Sequence, residues 1–299
     1  MVFLDPRCCA FSLFFLFLVT KFTAANTTLT PIMLPAPPVP YLTALKIQVM
    51  VDTSRPDPYN SNERYRRLLT SVFTPVPKSE SSELCYAQYM PPATAAAQDQ
   101  ALIGGQQPLF EPAQLSGLYC GASSPVTHLP LLVWSPGYTE SRLQFSILAQ
   151  YVASYGYEVI FVDHSGDAKI TEFPNGEIVL GVFPSNATTN VILQDRVFAL
   201  PAATQDMLFA IDSYSKSTCG ASRVYGSDRK VSIIAHEGIA AQAILNDFLK
   251  GDSGRIAGGV NLDGMIYGRV LTDGIGAGKK SHLLWKPASG PPNVTNWNQ

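Results

Sequence analysis

The sequence predicts an α/β fold built on a mostly parallel central sheet with helices on both faces. Three features carry this reading. Residues 130–134 are a continuous apolar run of strand length, and 157–162 and 231–235 are short, mostly apolar runs that read as further buried strands. Between them lie longer stretches whose apolar residues recur every three or four positions, the mark of amphipathic helices. The strand runs also give way to polar or small residues at Ser135, Asp163 and His236. Right-handed crossovers would gather those strand ends, and with them a functional site, on one edge of the sheet.

The elements follow in order. Residues 8–19 are almost wholly apolar behind the basic Arg7, and Thr23-Ala-Ala25 offers small residues for cleavage, so residues 1–25 read as a secretory signal peptide. An apolar core of about 12 residues is short for a bilayer span. No later run is long and apolar enough for a transmembrane helix, and a secreted, extracellular location is expected. Residues 26–44 are polar, then proline-rich, and read as an extended lead-in rather than a packed element. Residues 45–51 and 67–76 look like strands, separated by the turn-rich Asp52-Thr-Ser-Arg-Pro-Asp-Pro58. Residues 77–125 show no sustained periodicity and read as a long irregular segment.

In residues 142–155, Leu143, Ile147, Tyr151 and Tyr155 would share one helix face, which Gly156 can end. Asp163 and Asp167 read as solvated or turn carboxylates, and Phe173-Pro-Asn-Gly176 as a hairpin-like turn within a polar excursion. Residues 196–214 have helical spacing, with Pro201 blurring the first turn. Residues 256–262 form a strand leading to Asp263, and 282–285 a further short one.

Composition excludes some functions. A 46% hydrophobic chain of 299 residues can bury a substantial core. Lys plus Arg number 21 against 23 Asp plus Glu, a net charge of −2 with no basic stripe, so nucleic acid is not an expected partner. No metal-ligand spacing links the histidines. Removal of the signal segment leaves Cys85, Cys120 and Cys219. Cys85 and Cys120 flank the long irregular segment and are disulfide candidates; unpaired thiols or another pairing stay open. Asn26, Asn186 and Asn293 stand in Asn-x-Ser/Thr sequons and are glycosylation candidates.

Residues 231–249 join a buried strand, a small-residue turn and a helical pattern, the shape of a nucleophile elbow. With Asp52-Thr-Ser-Arg-Pro-Asp-Pro58, Tyr89-Met-Pro-Pro-Ala-Thr-Ala95, Trp134-Ser-Pro-Gly-Tyr138, Ala153-Ser-Tyr-Gly-Tyr157, Val162-Asp-His164 and Asn261-Leu-Asp-Gly264 in this order, the chain resembles the platelet-activating-factor acetylhydrolase-like branch of the α/β-hydrolases, particularly its secreted fungal members. The resemblance runs from about residue 45 to the C-terminus, making 45–299 an α/β-hydrolase domain. It implies a serine ester hydrolase that removes short sn-2 acyl groups from phospholipids, with no cofactor or metal. Its mechanism would use Ser, Asp and His in that chain order. Position by position, the nucleophile falls on Glu237 and the triad acid on Asp263. The oxyanion hole falls on the backbone N–H groups of Tyr138 and Gly238.

The chain departs from that pattern. Glu237 has no hydroxyl for a histidine to deprotonate. Ile239 stands where close helix–strand packing favours a very small residue. His282, the one histidine after Asp263, opens a predicted strand instead of following the last one, and reads as structural. Residues 287–299 resemble an internal loop, so the last strand and helix are expected to be missing and the domain incomplete at its C-terminus. A catalytically silent, lipid- or protein-binding form of the fold, or a truncated gene product, is the alternative reading. His236 reads as a packing residue, His164 as a strand-end residue shaping the pocket floor, and His128 as a loop residue.

Overall fold

The computed structural model describes residues 29–38, 40–105, 107–121, 129–183, 189–217, 231–236, 243 and 256–262. The signal segment, Asn26, Asn186, Asn293, His128, Cys219, Glu237, Gly238, Asp263, His282 and the strand expected at 282–285 lie outside them.

Among the described residues, one nine-stranded sheet organises the domain. β2 (Tyr41–Asp52) and β3 (Arg66–Pro77) pair antiparallel along their whole length, and β3 pairs antiparallel with β7 (Glu158–Asp163). From β7 onward the sheet is parallel, through β6 (Leu131–Ser135) and β10 (Val231–His236) to β11 (Ile256–Leu262). On the other flank, β5 (Ala113–Tyr119) joins β2 and carries both β1 (Ile32–Leu34) and β4 (Leu84–Gln88). A separate hairpin pairs β8 (Ile170–Glu172) with β9 (Ile178–Leu180). Its turn is the expected one, with Gly176 at φ 85° donating its N–H to the Phe173 carbonyl.

The apolar runs are two-sided strands. Leu131, Val133, Ile160 and Val162 belong to a core with Met207 and Ile211 of helix α3 (Thr189–Ser217). Their neighbours Leu132, Trp134, Val159 and Phe161 pack in the other core with Ala149 and Ala153 of helix α2 (Ser146–Ser154). Side chains alternate across a strand, so consecutive apolar residues are needed wherever helices cover both faces. Truncating one of these buried chains, such as Ile160→Ala, would cost about 2–5 kcal/mol.

Four sequence expectations need correction. Residues 77–125 are not irregular: they hold a short 3-10 turn, β4, helix α1 (Pro92–Ile103) and β5. Periodicity failed there because α1 has no apolar stripe and buries Thr94, Gln98 and Asp99 alongside Ala95. The proline-rich lead-in contains a paired edge strand, and β2 begins at Tyr41 rather than 45. Proline is tolerated at such edges because no ladder donor is needed from it. Helix α2 buries Ser146, Ala149, Gln150, Ala153 and Ser154, not the stripe ending at Tyr155, which is 62% exposed. Small residues such as Ala149 and Ala153 let this helix sit close on the sheet. Helix α3 starts at Thr189 and runs through Pro201, which therefore lies inside it. Gly156, at φ 97°, ends the turn after α2 as expected, its N–H reaching the Ala153 carbonyl.

Cys85 and Cys120 form a disulfide, their Cα atoms 6.0 Å apart, tying β4 to the end of β5.

Candidate active site

The parallel strands deliver their C-terminal residues to one edge. Ser135 of β6 is opposite Ala235, and His236 of β10 is opposite Leu262. The chain continues from these paired ends into Glu237 and Asp263. Ala243 is helical and fully buried in the same core as Ile233 and Ala235.

The loop after β6 is held tightly. The Gly137 N–H donates to Glu140 Oε2 at 3.0 Å, and Glu140 N–H returns a bond to the Gly137 carbonyl. A Cβ on Gly137 would stand 3.0 Å from Glu140 Oε2 and 3.3 Å from His236 Cβ, so glycine permits the loop to lie against the end of β10. Thr139 has φ 70°, left-handed backbone that a β-branched residue rarely adopts. Its carbonyl accepts from Lys169 N–H at 3.1 Å, and it bridges to Ala168. Such conformations cost about 1–3 kcal/mol and persist where neighbours impose them, often at functional sites. Between these two anchored residues, Tyr138 is partly exposed and its ring meets Phe183 edge-on at 5.6 Å. His236 packs against Phe145, ring centroids 5.1 Å apart, in keeping with a packing role.

Behind the loop lies a buried polar network. Ser135 Oγ is 2.7 Å from His164 Nε2, and His164 Nδ1 is 3.0 Å from Asp206 Oδ2. Arg66 grips Asp206 through Nε and Nη2, the latter at 2.7 Å, and donates Nη1 to the Ser165 carbonyl and to Asp57. Arg55 bonds both Asp52 at 2.5 Å and Asp206 at 2.9 Å. Burial alone would push the Asp206 carboxyl up, but the charge of Arg66, with the hydrogen bonds from His164 and Arg66, holds it well below the carboxylate range. Burial likewise works against a charged Arg66, and Asp206 and then Asp57 reverse that. An ionised Asp206 only accepts, so His164 Nδ1–H donates to it, which turns Nε2 toward the Ser135 hydroxyl.

The other strand-end carboxylates are anchors. Asp163, expected to be solvated, is buried; it accepts from Arg142 N–H at 2.6 Å and pairs with the Arg142 guanidinium, which also reaches Ser71 at 2.8 Å. Asp167 is buried as well. A solvated-turn reading fails at both because the β8–β9 hairpin and the loop after β6 close over this edge.

Among predicted site residues, the structure places Tyr138 at the strand edge and pairs Cys85 with Cys120. Glu237, Gly238 and Asp263 lie outside the described residues. Sequence reasoning missed Ser135, Arg66 and Asp206, and gave His164 only a place on the pocket floor. One signal was present: Asp52, Arg55 and Asp57, in the turn-rich motif after β2, are all members of the network or its brace. A cavity of about 290 Å³ opens between that turn and the β8–β9 hairpin, with Tyr59, Phe173 and Leu180 among its walls.

This strand order, with an antiparallel second strand, a parallel block beyond it and a tight loop at the C-terminal edge, is that of the α/β-hydrolase fold. No protein-family model matches the chain. It is 29% identical over 275 residues to a probable 1-alkyl-2-acetylglycerophosphocholine esterase of Arthroderma benhamiae, covering 87% of this chain and 67% of that one. The ferulic acid esterase of Streptomyces cinnamoneus superposes with a TM-score of 0.59 at 24% identity, over 79% of this chain and 63% of the other. The chain thus spans about two thirds of the length of either. The likeness to the platelet-activating-factor acetylhydrolase-like branch, read from short motifs, is therefore borne out.

Proposed function

We propose that this chain is an ester hydrolase of the 1-alkyl-2-acetylglycerophosphocholine esterase type, acting on short sn-2 acyl esters of phospholipids. The observation that carries it is the clamped loop Pro136–Gly137–Tyr138–Thr139 at the end of β6, in a chain whose curated relative bears that esterase name. A backbone donor presented there would stabilise developing oxyanion charge, a contribution of about 3–4 kcal/mol per donor. Asp263 would orient the base, and the cavity beside Tyr59 and Phe173 would receive part of the lipid.

A second reading is favoured by one residue. Glu237 occupies the nucleophile position, and a carboxylate there cannot be activated as a serine is. The fold would then bind an ester lipid without turning it over. The two readings separate in one experiment on the purified chain. Acetate release from a 1-alkyl-2-acetylglycerophosphocholine above a heat-killed control, lost in Asp263→Ala, supports the hydrolase. A folded chain that releases none, ignores a fluorophosphonate probe and retains the lipid in native mass spectrometry supports the silent binder.

The proposal places the protein outside the cell, entering the secretory pathway through residues 1–25. The Cys85–Cys120 disulfide supports an oxidising compartment. Expression in a eukaryotic secretory host should yield protein in the medium beginning near Asn26, with Asn186 shifted in mass by a glycan. Intracellular retention of an uncut chain would count against this.

A further inference from the structure

Ser135, His164 and Asp206 have the connectivity of a catalytic triad, Oγ to Nε2 and Nδ1 to carboxylate, at 2.7 and 3.0 Å. Their placement is unlike one. Ser135 is the last residue of an internal strand, paired with Ala235 of β10, and is 0% exposed; His164 is 2% and Asp206 0% exposed. A nucleophile must approach an ester carbon to about 3–3.5 Å, and no face of Ser135 is open to one. Its hydroxyl is also within 3.1 Å of the Pro136 carbonyl, the first peptide of the clamped loop.

We infer that Ser135, His164 and Asp206, anchored on Arg66, form a positioning relay that sets the loop from Pro136 to Thr139 for its work at the ester. The relay spans four elements. Arg66 opens β3, Asp206 comes from α3, His164 follows β7, and Ser135 ends β6 immediately before the loop. Arg66 also holds the Ser165 carbonyl at 2.5 Å, fixing the peptide beside His164 from the opposite side. The imidazole is thus engaged at both nitrogens, and among the described residues the group it meets next to the loop is the Ser135 hydroxyl. These are positioning residues: none touches substrate in this account. From the turn after β2, Asp57 bonds Arg66 and Arg55 bonds Asp206, while Asp52 at the end of β2 holds Arg55.

The inference rests on the esterase reading for its purpose, but its test does not depend on turnover. Three variants of the full chain dissect the relay. Ser135→Ala removes only the hydroxyl; His164→Gln keeps a donor or acceptor near the Nε2 position; His164→Asn keeps one near Nδ1, facing Asp206. Amide hydrogen exchange by mass spectrometry is read on a peptide covering residues 137–142 and on a control peptide from β2. In Ser135→Ala and His164→Asn the loop amides should exchange at least tenfold faster, with β2 unchanged; in His164→Gln the increase should be smaller. Unchanged loop exchange, or an equal rise in both peptides, overturns the inference. If the unmodified chain hydrolyses esters, Ser135→Ala should also lower kcat about ten- to a hundredfold with KM within about twofold. Unaltered kcat there, or fluorophosphonate labelling of Ser135 itself, overturns it too. An inactive parent chain counts against the esterase reading alone, because the exchange result still decides the relay.

Discussion

Arg66 and Asp206 form an ion pair with Nη2 and Oδ2 2.7 Å apart and both side chains wholly removed from solvent. Two charges in that position are not there for net stability, since their desolvation offsets much of their attraction. What the pair supplies is a fixed polar anchor beneath the loop that follows β6. Breaking it from one side leaves a buried charge uncompensated. Asp206→Asn should therefore destabilise the protein by about 3–5 kcal/mol, read from urea unfolding at neutral pH. A loss under about 1 kcal/mol would mean that water reaches Arg66.

The same carboxylate dictates a pH dependence. Burial raises its pKa, but Arg66 and His164 outweigh burial, so its folded value lies below the ordinary 3.8. The unfolded state then binds the proton more readily. Stability from this group is fully present above about pH 4 and declines as pH falls through the lowered folded value. Urea midpoints at pH 7, 4 and 2.5 should fall across the last interval, and Asp206→Asn should flatten that part of the profile.

Cys85 and Cys120 close a loop with a sequence separation of 35 residues. In the chain-entropy picture such a cross-link stabilises by about 3–4 kcal/mol. Replacing both cysteines by alanine should lower the unfolding free energy by that order, with proteolysis opening first around β4 and α1. Equal stability with and without the bond would show that the wing of β4 and β5 is held by packing alone.

Thr139 is a β-branched residue at φ 70°. Glycine adopts that backbone without strain, against an entropic penalty in the unfolded chain. Thr139→Gly should raise stability by up to about 1 kcal/mol in thermal melts while loosening the loop, so any ester turnover should fall as stability rises.

Much of this was legible in the sequence because it rests on periodicity. Residues 131–134 and 159–162 are uninterrupted apolar runs since helices cover both faces, and that pattern does not depend on distant residues. Helix α1 was not legible: beside Ala95 its buried positions are the polar Thr94, Gln98 and Asp99, satisfied by tertiary partners such as Glu172 and the Leu109 N–H, which no local window reveals. The turn after β6 could be placed because its motif is local. Asp206 could not, because its three partners come from residues 55, 66 and 164, far off in sequence and joined only by the sheet. The turn motif from Asp52 to Pro58 stood out as a resemblance, but its purpose, bracing Arg66 and Asp206, emerges only in three dimensions.

The central claim is that the edge beside Tyr138 is where an ester is held. It is tested most directly by a crystal structure of the secreted chain with a phosphonate analogue of 1-alkyl-2-acetylglycerophosphocholine. The account predicts a phosphonyl oxygen about 2.7–3.1 Å from the Tyr138 backbone nitrogen, with Ser135 still closed over His164. An analogue bound away from the loop after β6, or in contact with Ser135 Oγ, would contradict it.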